Sequence, residues 1–88
     1  MKIKPGFVLE EVAGSYLAVA VGSAADSFSG MVRMNGTGAF LWKLMENEDR
    51  TEDELTEALC KEYEVEESVA REGARAFVAK LSAGGILE

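Results

Sequence analysis

Asn35-Gly36-Thr37-Gly38-Ala39-Phe40-Leu41-Trp42 is the stretch on which the fold turns. Upstream, apolar residues alternate or fall in short β-branched and aromatic runs; downstream, they recur at helical spacing. Asn35 or Thr37 can cap the helix that begins here, because either side chain can accept from an otherwise unpartnered backbone N–H. Phe40, Leu41, Leu44 and Met45, with Trp42 beside them, cover more than a narrow face. That pattern predicts a helix over residues 36–46, buried between other elements, with Trp42 in the core.

Before this corner, Phe7-Val8-Leu9-Glu10-Glu11-Val12 and Tyr16-Leu17-Ala18-Val19-Ala20-Val21 read as strands over residues 6–12 and 16–21. Ala13-Gly14-Ser15 supplies turn chemistry, so the two make a hairpin. Gly22 to Ser27 is small, polar and looser. Phe28-Ser29-Gly30-Met31-Val32-Arg33-Met34 alternates as a third strand, 28–34, in which Gly30 weakens pairing or lets another backbone come close.

After the corner, Thr51-Glu52-Asp53-Glu54 is a capping box opening a helix over 52–63, with acidic residues at the positive end of its dipole and Leu55, Leu59 and Tyr63 on one face. A third helix spans 67–83, with Ala70, Gly73, Ala74, Phe77 and Leu81 along one side. Gly84-Gly85 ends it in left-handed geometry, and Ile86 and Leu87 tuck back onto the core. The fold class is therefore α+β: a single domain, residues 1–88, with an N-terminal three-stranded antiparallel sheet followed by three helices. This is the composition of a winged helix-turn-helix with its sheet first.

Composition narrows the function. Sixteen acidic residues against nine basic ones give a formal charge of −7, and the basic residues are scattered along the chain. Nucleic acids and anionic membranes, which need clustered Lys and Arg, are disfavoured as partners. The longest apolar run, Leu17 to Val21, is far too short to cross a bilayer. With one cysteine no internal disulfide forms, so the reading is cytoplasmic, with Cys60 a reduced structural residue.

Few residues offer catalytic or metal-binding chemistry. There is no histidine, the commonest general base and metal ligand. Cys60 has no His partner and lies within a predicted helix. Glu46, Glu48 and Asp49, and Glu52, Asp53 and Glu54, lack the spacing of a calcium loop and read as solvated helix ends. Gly36 and Gly38 do not make a dinucleotide fingerprint, since Leu41 stands where the third glycine belongs. No catalytic residue, metal ligand or cofactor is expected, and the chain is not read as an enzyme.

The corner, Thr51 opening its capped helix, Tyr63-Glu64-Val65, Phe77-Val78 and Gly85-Ile86-Leu87, with Pro5-Gly6-Phe7-Val8-Leu9 upstream, together resemble the PqqD family. The Ala- and Ser-rich segment from Gly22 to Gly30 departs from the aromatic pair usual there. The resemblance implies a winged-helix domain that binds the leader of a ribosomally made precursor peptide. It would do so by strand addition beside the third strand, and present the leader to a separate modifying enzyme, commonly a radical SAM protein. The edge so implied is Ser29, Gly30, Met31, Val32, Arg33 and Met34. On the third helix the flank Val69, Gly73, Ala76 and Lys80 is chosen, with Arg71, Arg75 and Val78 as the opposite flank; periodicity does not decide between them. A DNA-binding regulator and a scaffold subunit that binds a folded protein are the alternatives. The unpaired third strand can also join a second copy, giving a homodimer.

Overall fold

In the computed structural model, which describes residues 1–22, 24–27 and 31–88, the chain first doubles back at Ala13-Gly14. Strand β1 (Phe7–Val12) pairs antiparallel with β2 (Ser15–Ala20), and Val12 faces Ser15, leaving a two-residue loop. Ala13 and Gly14 both have positive φ, 51° and 80°. This is the loop geometry whose twist matches that of the paired strands. Ser15, expected in the turn, is thus the first residue of β2, which ends at Ala20 instead of Val21.

The segment after β2 is not wholly loose. A one-turn helix, α1 (Ala24–Ser27), follows Gly22, whose φ of 61° turns the chain and whose carbonyl accepts from Ala25 N–H at 3.2 Å. Strand β3 (Met31–Met34) then pairs antiparallel with β2, Tyr16 facing Met34 and Val19 facing Met31. The expected start of this strand, residues 28–30, lies outside the described residues. The sheet order is β1-β2-β3. Pairing puts Phe7, Leu9, Ala18, Val32 and Met34 on one face, which packs toward the helices.

Helix α2 (Gly36–Asn47) begins at the corner, and Asn35 is its cap: the Asn35 Oδ1 accepts from Gly38 N–H at 2.9 Å. Leu41, Trp42 and Met45 are fully enclosed, as the width of the apolar face predicted. The Phe7 ring meets Trp42 edge-on at 6.0 Å, and the indole N–H donates to Glu46 at 2.8 Å, so the core tryptophan has a polar partner.

Helices α3 (Glu52–Tyr63) and α4 (Glu67–Ala83) pack on each other across the three-residue turn Glu64-Val65-Glu66. The capping box is complete, Glu54 N–H to Thr51 Oγ at 3.1 Å and Thr51 N–H to Glu54 Oε1 at 2.9 Å. Leu55 and Leu59 are buried, but Tyr63 is 42% exposed, its ring edge-on to Phe40 at the end of the stripe. Along α4, Ala70, Ala74 and Leu81 enter the core and Gly73, expected with them, is exposed.

At the end of α4 only Gly85 adopts left-handed geometry; Gly84 stays helical. Ile86 N–H reaches back to Leu81 O and Gly85 N–H to Ser82 O, and the Ile86 and Leu81 side chains are both buried. That is a complete C-terminal cap with its apolar contact. The chain ends are tied together: Ile3 bridges Leu87, Lys4 N–H donates to Ile86 O and Glu88 N–H to Lys2 O.

Candidate functional site

Strand β3 has β2 on one side only; no described strand pairs with its other edge. Antiparallel strands direct the N–H and C=O of alternate residues to opposite sides. The two-residue hairpin makes Val12–Ser15 a hydrogen-bonded pair, so Leu17 and Val19 also bond toward β1, and Tyr16 and Ala18 toward β3. Their partners Met34 and Val32 therefore bond inward. Met31 and Arg33 are left with their main-chain groups on the open edge. Lys80 agrees with this assignment: its ammonium reaches from α4 and donates to the Arg33 carbonyl oxygen at 2.7 Å.

Between that edge and α4 runs a groove of about 620 Å³. Arg33 and Met34 form one wall, Gly73, Ala76, Phe77 and Lys80 of α4 the other, and Gly38 and Leu41 lie at its α2 end. The hairpin turn, through Gly14 and Ser15, closes one side. Gly73 and Ala76 keep the α4 wall low, so a chain can lie close to the helix. Gly38 is required for a different reason. A Cβ there would sit 3.0 Å from the Met34 Cβ and 3.1 Å from the Phe77 ring, which is where α2, β3 and α4 converge.

The structure thus brings Arg33 and Met34 together with Gly73, Ala76 and Lys80 around one opening. Met31 and Val32 lie further along the same strand, Met31 being 59% exposed. Ser29 and Gly30 fall outside the described residues. Val69, one turn of α4 before Gly73, is 57% exposed and does not line the groove. The opposite flank is otherwise engaged. Arg71 pairs with Glu52 at 2.7 Å, Asp53 at 2.9 Å and Glu67 at 3.0 Å, and Arg75 pairs with Glu52 at 2.9 Å; Val78 packs against the core. Arg75 and Arg71 together hold the Glu52 carboxyl below its usual pKa, and the carboxylates around Arg71 raise that guanidinium further still. These two arginines clasp α3 to α4 on the side away from the groove.

Sequence reasoning missed the groove's Gly38, Leu41 and Phe77. Gly38 was explained by the corner, and Leu41 and Phe77 by the core stripe; nothing in the periodicity says that a core residue also floors an opening. Among the described residues no group of three or more His, Cys, Asp or Glu side chains could hold a metal ion. None of their helices is long and apolar enough to cross a membrane.

The family described as Coenzyme PQQ synthesis protein D (PqqD) matches residues 8–87. Two solved structures share the fold. "TbiB1 in Complex with the TbiA(beta) Leader Peptide" is 23% identical with a TM-score of 0.75, over 100% of this chain and 95% of that one. "Lasso peptide synthetase B1 complexed with the leader peptide" is 20% identical with a TM-score of 0.71, over 99% and 95%. No curated protein matches the sequence.

Proposed function

We propose that this chain, which belongs to the PqqD family, is a non-catalytic domain that captures the leader of a ribosomally made precursor peptide and presents it to a separate modifying enzyme. The observation that carries this reading is the open β3 edge beside a groove whose far wall is α4. An extended peptide laid there would bond to the outward main-chain groups of Met31 and Arg33 and place alternate side chains against Gly73, Ala76 and Phe77. Main-chain bonding supplies affinity in such an arrangement, and the pockets supply selectivity. The binding residues on this reading are Ser29 to Met34 with Gly73, Ala76 and Lys80; Val69 would be reached only by a peptide running past the groove.

Both solved relatives are complexes with leader peptides, which supports the same occupant here. The family resemblance favours a radical SAM protein as the enzyme served, and the single cysteine favours a cytoplasmic setting. The similarity to lasso peptide synthetase B1 favours a lasso-type enzyme as the second reading, and co-purification with the enzymes encoded nearby separates the two. A DNA-binding role is disfavoured because Arg71 and Arg75, the arginines of α4, are neutralised by α3 carboxylates.

The test is a titration of ¹⁵N-labelled protein with the leader of a precursor encoded beside this gene. Amide shifts concentrated in Met31–Met34, Gly73, Ala76 and Lys80 are expected. Their absence at about 0.5 mM peptide, a concentration that would reveal even sub-millimolar binding, overturns the reading.

A further inference from the structure

Of the chain's nine Lys and Arg side chains, Lys80 and Arg33 are the two that line the groove, and with Lys2 and Lys4 they are left without an ion-paired carboxylate or ring partner among the described residues. Arg50, Lys61, Arg71 and Arg75 all pair with carboxylates, and Lys43 lies over the Tyr16 ring at 5.9 Å. Among the described residues neither Arg33 nor Lys80 makes an ion pair, and they are the charged residues that line the groove. No carboxylate lines it, in a chain that carries sixteen. An acidic protein has thus kept one opening free of acid and set two uncompensated cations in it.

Lys80 meanwhile donates to the Arg33 carbonyl, which faces the open edge. That oxygen is the acceptor that an added strand's N–H would take. An exposed ammonium-to-carbonyl bond is readily exchanged for water or for a better acceptor, because a lysine head group is compact, strongly hydrated and carried on a flexible stem. A peptide that takes the carbonyl frees the ammonium inside the groove, where a carboxylate is the acceptor of opposite charge.

We propose that Lys80 makes the groove selective for extended peptides that carry an Asp or Glu side chain beside the residue paired with Arg33, and that in the unoccupied protein the same ammonium covers the β3 edge. This rests on the groove being a peptide site. An unpaired edge is a template for unwanted strand pairing, and lysine is a common guard of such edges. Here the guard and the selector would be one side chain, switched by the arrival of the peptide's backbone. Arg33, on the β3 wall facing it, adds to the positive potential of the same groove.

The test uses the full chain and a random-sequence peptide display library. Binders whose labelled-protein shifts fall in residues 31–34 are expected to share an Asp or Glu at one fixed position. The strongest such binder is then synthesised with its acid intact and with that acid replaced by the corresponding amide. Lys80→Met, which keeps the stem and removes the charge at an exposed position, should weaken the acidic peptide by about tenfold, the size of a charge-assisted hydrogen bond. The amide peptide, which no longer has to displace the ammonium from the Arg33 carbonyl, should bind the variant at least as tightly as it binds the unaltered protein. Groove binders without a shared acid, or equal losses for both peptides, overturn this inference and leave the peptide-binding reading standing. A library with no binder that shifts residues 31–34 overturns both.

Discussion

At Gly38 the absence of a side chain lets three elements meet. The cap bond from Gly38 N–H to Asn35 holds the first turn of α2 against β3, while the Phe77 ring comes up from α4. Gly38→Ala must push Met34 or Phe77 aside, and overpacking of this kind costs about 1–3 kcal/mol. Gly36→Ala, two residues away with nothing within 4 Å of the new methyl, is the control and should cost nothing measurable. Chemical denaturation of the two variants checks this; equal stability would mean that the corner is not tightly packed. Both glycines read alike in the sequence. The cap was legible there because a cap is local chemistry, but which glycine the packing needs depends on a ring some forty residues downstream.

The clasp between α3 and α4 belongs to the pair of helices. Glu52 accepts from Arg71 and Arg75, and its carboxyl pKa is lowered mainly by those hydrogen bonds, Arg75 first. A carboxyl whose pKa is lower in the folded than in the unfolded chain stabilises the fold above its unfolded value. It loses that contribution as pH falls through its folded value. Stability should therefore decline as pH drops below about 4.3, the ordinary glutamate value. Glu52→Gln should make that decline shallower while lowering stability at neutral pH. An unchanged acid slope, followed by thermal unfolding at several pH values, would show that Glu52 is not held by the arginines. The element boundaries were legible because the Thr51–Glu54 box, the Leu55/Leu59 pair and the terminal glycines are all signals carried within a few residues. The choice between the two flanks of α4 was not. A helical stripe says which residues are apolar, whereas the flank that meets α3 was decided by Arg71 and Arg75 finding Glu52 across the turn. That left Gly73, Ala76 and Lys80 to face the sheet edge.

Taken together, the molecule is a small sheet and a helical trio joined through α2, with the chain ends laced to each other and β3 left open beside α4. Strand number, the three long helices and their order followed from hydrophobic period and turn residues. The lacing of Ile3 to Leu87 did not, since a bridge between the two ends of the chain leaves no mark in local pattern. The one-turn helix α1 was missed because four residues are too few to show a helical period. The groove itself was legible only as a family expectation; its cationic lining emerges when the acidic residues are seen to gather elsewhere. On strand addition a bound leader becomes the fourth strand of the sheet. Amide hydrogen exchange with and without saturating leader peptide measures that directly. The Met31 and Arg33 amides, which face the open edge, should become protected by at least about tenfold, while Val32 and Met34, already bonded to β2, change little. Peptide binding that leaves the Met31 and Arg33 amides exchanging as fast as before would contradict strand addition.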